Sequence, residues 1–493
     1  MHNERFDVLI LGAGLSGIGA ACHLRRECPD KSFAILERRA AIGGTWDLFR
    51  YPGIRSDSDM LTLGYNFKPW KNPKAIADGP DIRTYIQEAA KEYDLAKHIR
   101  FQQRVKKASW STEDSLWRVD VEVTDPQSGQ LSTVQVEASF IIGCTGYYNY
   151  DKGYEPEFAG RESFPGPVIH PQHWPENLDY QGKRIVVIGS GATAVTLIPS
   201  LAEKASQVTM LQRSPTYIME VPNEDVVADF LRRYLPDHWV YRFARTRNIL
   251  LSLLLYKFSR AFPAKMKRFL LSQVHKSLGD KYKEENFSPA YQPWDERLCV
   301  VPDGDLFAAI RSGKASVVTG QIERFTPQGV QLSNGELLAA DIIVTATGLD
   351  VQALGGAEIE LDGKPLNVSN RLCYKGLMFE DLPNFGMVFG YTNASWTLKS
   401  DLTLHYLCRL LRHMDKTGAT VAVPRNKDAS LERLPFMDMT SGYIQRASAI
   451  LPRQGAKYPW RLYQNYLLDR AMLAHGRIDD GIVELRRGRP LQR

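Results

Sequence analysis

Two glycine-rich turns constrain the fold of this chain more than any other feature. The first follows an apolar strand in FDVLILGAGLSGIGAACHLRR and has the spacing Gly12-x-Gly14-x-x-Gly17. In such a turn the first glycine permits a tight bend, the second lets a pyrophosphate approach the backbone, and the third lets the helix pack closely on the strand. The N–H groups of the helix N-terminus then meet the phosphate charge. The pattern predicts a dinucleotide-binding unit, and an ordinary β-turn-α unit is the alternative.

An acidic residue follows this turn at the expected distance. Glu37 ends the next strand, SFAILE, about twenty residues further along. A carboxylate at this position accepts hydrogen bonds from the hydroxyls of an unphosphorylated adenosine ribose. The first unit is therefore expected to bind FAD.

The second glycine-rich turn has a basic residue where the first has an acid. KRIVVIGSGATAV contains Gly189-x-Gly191-x-x-Ala194, and the strand VTMLQRSPT that follows leads to Arg213 and Ser214. A carboxylate there would repel a 2′-phosphate, whereas an arginine offers it a bidentate partner. The second unit is therefore expected to bind NADP. A solvated surface charge is the alternative role for Arg213.

The paired turns predict an α/β fold with two Rossmann-like dinucleotide-binding domains and a helical insertion. We place the FAD domain at 1–145 and 381–493, the NADP domain at 146–222 and 298–380, and the insertion at 223–297. The strands ASFIIGCTGYYN and ADIIVTATGLD both end in Thr-Gly, where a glycine lets the chain turn away beside a nucleotide. Two such strand ends support one FAD domain and one NADP domain.

Composition excludes several other classes of protein. The 493 residues are 44% apolar and 24% charged, as in ordinary globular proteins, and the net charge of +6 is too small to indicate a nucleic-acid partner. The six cysteines form no Cys-x-x-Cys pair and the ten histidines show no metal-ligand spacing. The chain starts directly with a strand and shows no signal peptide. We expect a cytoplasmic protein without a metal site.

The insertion is helical in period, apolar and basic. Its longest apolar run, ILLSLLLY at 249–256, is too short to span a bilayer. Basic residues beside apolar stretches suit a helix lying on anionic lipid, which would make the protein membrane-associated. The alternative, which we prefer, is a helical hairpin that packs on the NADP domain and forms part of a substrate tunnel.

The stretch between the two units, FPGPVIHPQHWP, cannot form a helix or a central strand. It holds Phe164, Gly166, His170 and Trp174 in the pattern Phe-x-Gly-x-x-x-His-x-x-x-Trp. With GGTWDLFRYPGIRSD, this pattern resembles the flavin-dependent Baeyer–Villiger monooxygenases, within the class that includes flavin-containing N- and S-monooxygenases. The second motif is matched by Gly43, Gly44, Trp46, Tyr51, Pro52, Gly53 and Asp57. Further stretches, such as PWDERLCVVPDGDLF and GYTNASWTLKSDL, are similar to the mycobacterial ethionamide-activating subgroup.

The resemblance implies a reaction and its cofactors. NADPH reduces FAD, O2 adds to give a C4a-peroxyflavin, and the anionic peroxide converts a ketone into an ester or lactone. The protonated form oxidises sulfur compounds such as sulfides or thioamides. The cofactor carries the chemistry, while the protein holds NADP and excludes water. An N/S-hydroxylating monooxygenase without ketone activity and a non-catalytic nucleotide-binding protein are the alternatives.

The resemblance also assigns roles to individual residues. Trp46 and Asp57 belong to the FAD-site motif, and Arg297, in PWDERLC, takes the place of the active-site cation. A positive charge there lowers the pKa of a peroxide and stabilises a developing oxyanion. Asp57 would orient Arg297. A structural salt bridge is the alternative for Arg297, and a loop position or helix cap is the alternative for Asp57.

The same resemblance makes His170 and Trp174 links between the two domains, which couple NADP binding to domain orientation. A general base is the alternative role for His170. His173 has no role in the pattern and is expected at the surface. Near the C-terminal end, LPNFGMVFGYTNASW predicts a strand and then a helix whose N-terminus faces the flavin, capped by Asn393 or Ser395.

Overall fold

A computed structural model of the chain describes residues 4–296, 298–437 and 441–488. The first part of the chain builds most of one large sheet. Its strands are β1 (Glu4–Leu11), β2 (Phe33–Leu36), β3 (Ile99–Arg100), β4 (Gln103–Ser111), β5 (Leu116–Thr124) and β6 (Leu131–Gly143). Its helices are α1 (Leu15–Glu27), α2 (Thr45–Leu48), α3 (Met60–Leu63) and α4 (Gly79–Glu92).

The centre of the large sheet is parallel and carries the first glycine-rich turn. β1 lies between β2 and β6 and pairs in parallel with both. Because β1 has a neighbour on each side and helices over its face, Val8, Leu9 and Ile10 are fully buried. β4, β5 and β6 form an antiparallel extension. The parallel centre confirms the Rossmann-like unit predicted from the sequence.

The second unit begins with the segment after the first. Its first strands are β7 (Tyr148–Gly153), β8 (Val168–Ile169), β9 (Arg184–Ile188), β10 (Gln207–Gln212) and β11 (Ile218–Val221), and α5 (Ala192–Ala202) follows the second glycine-rich turn. The predicted insertion then forms α6 (Val226–Leu231), α7 (Asp237–Ala261), α8 (Pro263–Leu278) and α9 (Glu284–Phe287). No helix in the described ranges combines the length and hydropathy needed to cross a bilayer.

The insertion touches both units. α8 packs on β11 and the second unit through Met266, Leu270 and Val274. α7 instead lies on α3 of the first unit, where the buried Arg245 donates to the carbonyl oxygens of Leu61, Thr62 and Gly64 at 3.0, 3.2 and 2.7 Å. A guanidinium satisfies the unpaired carbonyls of a helix C-terminus well. The preferred sequence interpretation, packing on the NADP unit, therefore holds for α8 and not for α7.

The second unit is completed after the insertion. Its elements are β12 (Cys299–Pro302), α10 (Asp305–Arg311), β13 (Ala315–Thr319), β14 (Ile322–Thr326), β15 (Gly329–Leu332), β16 (Leu337–Ala339), β17 (Ile342–Thr345) and β18 (Leu349–Val351). The main sheet of this unit has five strands in the order β13-β10-β9-β17-β8, and every pair in it is parallel. This is the second Rossmann-like unit that the sequence predicted.

The chain then returns to the large sheet. The remaining elements are β19 (Glu358–Leu361), β20 (Lys364–Pro365), β21 (Cys373–Tyr374), β22 (Met378–Phe379), β23 (Phe385–Met387), α11 (Trp396–Thr417), β24 (Val421–Pro424), β25 (Arg433–Pro435), α12 (Gly442–Ala447), β26 (Arg453–Gly455), α13 (Tyr466–Arg470) and β27 (Val483–Arg486). β19 pairs with β4, so the chain is back in the large sheet from Glu358 onward. The domain boundary expected from the sequence, residue 381, lies later, because a pairing between strands so far apart in the chain leaves no local pattern.

The two connections between the units lie side by side. β7 carries the chain out of the first unit, β18 carries it back, and the two strands pair with each other antiparallel. The large core of the first unit lies between its sheet, α1, α4 and α11. A second core fills the second unit and also takes in Leu48, Phe49 and Tyr51 from the first.

Candidate functional site

One cavity of about 330 Å³ lies between the units and is lined by the first glycine-rich turn and by the start of α5, which follows the second. From the first unit it is lined by Gly12, Gly14, Glu37, Gly43, Gly44, Trp46, Arg55 and Asp57; from the second by Ala192, Thr193 and Val300; and from the segment before α11 by Tyr391 and Ala394. The sequence predicted the two turns and the Trp46 motif separately. The structure brings them to one space.

The first turn has the close contacts that its glycines predict. Gly12 has a φ of +102°, which disfavours any other residue. A Cβ on Gly17 would lie 1.8 Å from the carbonyl oxygen of Gly12, so only glycine lets α1 pack on the turn. Gly14 faces Gly44, and a Cβ on Gly14 would be 3.4 Å from its Cα. The turn leaves the N-terminus of α1 open to the cavity, as a bound pyrophosphate requires.

Glu37 is buried at the end of β2, at the wall of the cavity. Its carboxylate accepts hydrogen bonds from the backbone N–H groups of Ala13 at 2.7 Å and Arg39 at 2.8 Å. Burial raises the pKa of Glu37. The hydrogen bonds fix the carboxylate beside the first turn, and its role as a ribose acceptor stays a prediction.

Asp47, directly after the Trp46 motif, is a charged residue that the sequence analysis missed. Its buried carboxylate contacts three guanidinium groups, those of Arg39 at 2.6 Å, Arg50 at 3.1 Å and Arg83 at 3.1 Å. Arg50 also pairs with Glu176 at 2.9 Å, so the arginines share several carboxylates behind the Gly43–Gly44 turn. Only its position after GGTW could have marked Asp47 in the sequence.

Asp57 lines the cavity from the loop that precedes α3. The Ser58 hydroxyl donates to its Oδ1 at 3.4 Å. The residue that caps α3 is Asp59, whose side chain accepts from the backbone N–H of Thr62 at 3.0 Å. The helix-cap alternative therefore applies to Asp59 and not to Asp57.

Arg297 lies outside the described residues. The chain on either side of it is described, and Val300 of β12, three residues later, lines the cavity. Glu296, just before it, has a pKa raised by burial, and the positive charge of Arg213 opposes that rise. The role of Arg297 stays a prediction.

The second turn has open space at its middle glycine. Gly189 has a φ of +135°, and a Cβ there would lie 2.3 Å from the carbonyl oxygen of Ala346. Gly191 is different, because a Cβ on it would meet no atom within 4 Å. Ala194, in the third position, is fully buried against the sheet. The turn therefore has room for a phosphate at Gly191.

Arg213 and Ser214 are exposed at the end of β10, beside the second turn. The Ser190 hydroxyl in that turn donates to the carbonyl oxygen of Ser214 at 3.1 Å. Both residues thus stand where a 2′-phosphate would reach them. That ligand stays a prediction.

His170 joins the loop between the units to the strand that leads back. Its Nδ1 accepts from the backbone N–H of Gln172 at 3.2 Å, so Nε2 carries the proton and donates to the carbonyl oxygen of Gly348 at 3.0 Å. Burial lowers the pKa of His170. Both ring nitrogens are used, which argues against the general-base alternative. His173 is exposed, as expected.

The other residues of this loop belong to the second unit. Phe164 is buried in a core cluster with Val186 and Ile188. A Cβ on Gly166 would lie 2.3 Å from the carbonyl oxygen of Asp341. Trp174 packs, partly buried, against the second core.

The N-terminus of α11 reaches the cavity, as the sequence predicted. Ser395 stands at the cap position, but its hydroxyl pairs with that of Thr62 at 2.6 Å and does not cap the helix. Trp396 lines the cavity, and its indole N–H donates to the hydroxyl of Ser16 in α1 at 2.7 Å. The N-termini of α1 and α11, which both face the cavity, are therefore tied together.

No group of histidines, cysteines and acids in the described ranges could hold a metal ion. The six cysteines are free thiols, and all are buried. The site is therefore defined by its glycine turns, helix N-termini and charged side chains.

Comparison with known proteins places this two-unit fold in a class of flavoproteins. Residues 69–353 match the flavin-binding monooxygenase-like family, and residues 10–70 match the NAD(P)-binding Rossmann-like domain. The FAD-containing monooxygenase EthA of Mycolicibacterium smegmatis is 52% identical over 479 residues, 97% of this chain and 96% of that one. The chain belongs to the flavin-binding monooxygenase-like family, which confirms the resemblance seen in the sequence.

Two other relatives are equally similar. The putative FAD-containing monooxygenase MymA of Mycobacterium tuberculosis is 51% identical over 486 residues, 98% of this chain and 97% of that one. The probable FAD-binding monooxygenase AlmA of Acinetobacter baylyi is 50% identical over 482 residues, 97% of this chain and 96% of that one.

Solved structures share the fold. An oxidised steroid monooxygenase bound to NADP superimposes with a TM-score of 0.76 at 22% identity, covering 98% of this chain and all of that one. A cyclohexanone monooxygenase with bound ε-caprolactone gives 0.74 at 20% identity, with the same coverage. At such identities the likeness establishes the fold alone.

Proposed function

We propose that this chain is an FAD-containing monooxygenase that uses NADPH and O2 to convert ketones into esters or lactones and to oxidise sulfides or thioamides. The observation that carries the proposal is the cavity that joins the first glycine-rich turn, the start of α5 after the second turn, and Asp57. The family and the names of the relatives, all FAD monooxygenases, support the cofactor and the class of reaction.

The first unit supplies what FAD needs. The open N-terminus of α1 beside Gly14 suits the pyrophosphate, and Glu37 suits the ribose hydroxyls. The N-terminus of α11 favours negative charge on the flavin ring. When bound, FAD supplies the activation of O2 after it has been reduced by NADPH, and the protein keeps water from the reacting atoms.

The second unit supplies what NADP needs. Gly191 leaves room for the pyrophosphate, and Ala192 and Thr193 line the cavity beside it. Arg213 offers a guanidinium to the 2′-phosphate, with Ser214 next to it. His170 and Trp174 hold this unit in its orientation to the first, so that binding of NADP is coupled to the orientation of the two units.

Arg297 and Asp57 complete the site. We infer that Arg297 is the cation of the active site and that Asp57 orients it. The positive charge then stabilises negative charge that develops on the substrate oxygen during attack on a carbonyl. A sulfide develops no such charge, so its oxidation depends less on Arg297.

The experiment that tests this function is a panel of ketones, sulfides and thioamides with product identification. For Arg297→Ala we expect ketone oxidation to fall about 10²–10³-fold, and sulfoxidation to fall much less. Arg297→Lys is the matched control that keeps the charge. Sulfoxidation by the parent enzyme without any ester from any ketone would favour the N/S-hydroxylating alternative. Absence of flavin reduction by NADPH would favour the non-catalytic one.

We further propose that the insertion lies on an anionic membrane, at the cytoplasmic face. Thirteen of the 22 exposed large apolar side chains in the described ranges lie between Val226 and Phe269, including Trp239, Leu254 and Phe258. Residues 237–278 contain nine lysines and arginines against one acid, Asp237, so this hairpin accounts for more than the whole net charge of +6. An apolar face flanked by cations suits anionic lipid. The free cysteines suit a reducing compartment.

A further inference from the structure

A partly buried ion pair joins the two units at the wall of the cavity. Arg55, in the loop before α3, contacts Asp305, the first residue of α10, through both of its terminal nitrogens. The Arg55 side chain is 8% exposed and lines the cavity. The partners lie 250 residues apart in the chain and on different units.

The loop that carries Arg55 is fitted into the second unit. Tyr51 is buried in the core of that unit, where its hydroxyl contacts Thr193 and Thr196 of α5. Gly53 has a φ of +77°, and a Cβ there would lie 2.3 Å from the hydroxyl oxygen of Ser200 in α5. The loop therefore sits between α5 and α10, with Arg55 at its inner end.

The ion pair lies close in sequence to the two residues proposed for catalysis. Asp57 follows Arg55 by two residues on one segment. On the other segment Val300 of β12 lines the cavity, and Asp305 begins α10 three residues after β12 ends at Pro302. The pair therefore joins the loop that carries Asp57 to the segment that follows β12.

The Arg55 end of the pair is buried, whereas the Asp305 side chain is 30% exposed. Removing Asp305 would therefore leave the buried guanidinium without its counter-charge. Among the described residues the buried Nε of Arg55 has no hydrogen-bond partner. A guanidinium held bidentate, with its remaining N–H free, fixes a direction rather than adding stability.

We propose that Arg55 is a positioning residue, which with Asp305 ties the Asp57 loop to the segment that carries Arg297 and keeps the second unit closed over the cavity. This rests on the proposed function, because it acts through Asp57 and Arg297. If the pair is lost, water enters the cavity, and consumption of NADPH and O2 then yields hydrogen peroxide in place of oxygenated product.

The test compares Asp305→Asn with Asp341→Asn in the FAD-loaded enzyme. Asp341 forms a bidentate pair with Arg184, at 2.7 and 3.1 Å, within the second unit and away from the cavity. We measure the dissociation constant of NADP⁺ from the flavin absorbance, and the share of consumed NADPH recovered as hydrogen peroxide with a ketone present. For Asp305→Asn we expect roughly tenfold weaker NADP⁺ binding and a peroxide share above half. Asp341→Asn should match the parent enzyme.

Asp305→Glu keeps the charge and should restore both values in part. Parent-like binding and coupling in Asp305→Asn would overturn the proposal. So would loss of FAD and a lowered melting temperature in both Asp305 variants, because the pair would then be a structural tie alone. Failure of the parent enzyme to oxygenate any substrate would contradict the proposed function instead, since NADP⁺ binding is measured without turnover.

Discussion

His170 donates a hydrogen bond from Nε2 to the carbonyl oxygen of Gly348 at 3.0 Å, and so fastens the loop between the units to the strand that leads back to the first. The ring also lies against Gly153, at the end of the outgoing connection, where an added Cβ would be 2.0 Å from Cε1. One side chain therefore contacts both connections between the two units.

We expect His170→Ala to weaken the use of NADPH rather than the chemistry. The change removes one of the two donors to the carbonyl oxygen of Gly348, which also accepts from the N–H of Tyr154 at 3.1 Å. It also leaves the N–H of Gln172 without its partner, which costs about 1–3 kcal/mol and loosens the joint. The kcat/KM for NADPH should fall about tenfold in steady-state assays, while FAD content stays unchanged. His173→Ala, three residues on and exposed, is the control. A fall in kcat with NADPH binding intact would instead favour the general base.

The glycines of the two turns give opposite predictions. A Cβ on Gly17 has no room, so Gly17→Ala should lose FAD and fold poorly. A Cβ on Gly191 meets no protein atom within 4 Å. Gly191→Ala should therefore keep the melting temperature and the FAD of the parent but bind NADP⁺ at least tenfold more weakly, as titration of the flavin absorbance would measure. Unchanged NADP⁺ affinity in Gly191→Ala would place the pyrophosphate elsewhere.

A buried charge cluster predicts how stability depends on pH. His23 hydrogen-bonds to Glu27 at 2.7 Å and to Asp401 at 3.4 Å. Burial opposes protonation of His23, but the two carboxylates outweigh it and raise the pKa above 6.5. Burial also disfavours ionisation of Glu27, but hydrogen bonds with His23 and His405 lower its pKa to about 2.

The stability that His23 contributes and the stability that Glu27 contributes change with pH in opposite directions. The contribution of His23 is fully present below pH 6.5 and is lost as the pH rises through its raised pKa. The contribution of Glu27 is present above pH 4.5 and is lost as the pH falls toward 2. We expect the melting temperature to fall more steeply in the parent than in His23→Gln as the pH rises above 6.5. Parallel curves for the two proteins would contradict this.

Local patterns predicted the parts of this molecule that depend on neighbours in the chain. The glycine spacings, Glu37, Arg213 and the helical period of the insertion all follow from residues close in sequence. The pairing of β19 with β4 and the hydrogen bonds from Arg245 to α3 could not be predicted in this way, because they form between segments that are far apart in the chain. Ser395 shows the same limit, since its position could be predicted but its bond to Thr62 could not.

The insertion predicts salt-sensitive binding to lipid. The enzyme should sediment with vesicles that contain phosphatidylserine but not with phosphatidylcholine vesicles, and high salt should release it. Replacing Trp239, Leu254 and Phe258 by serine should abolish sedimentation, because these exposed side chains are the proposed anchors. Serine at Leu131 and Leu337, which are exposed on other surfaces, is the control. Binding that changes neither with lipid charge nor with these three substitutions would refute the proposal that the insertion binds anionic membranes.

The most direct test of the account follows oxygen itself. The purified, FAD-loaded enzyme is given NADPH, a ketone and ¹⁸O2, and the products are analysed by mass spectrometry. The account predicts one ¹⁸O atom in each ester or lactone, the other in water, and one NADPH consumed for each product. Consumption of NADPH with hydrogen peroxide as its only product across the whole panel of ketones and sulfides would contradict it.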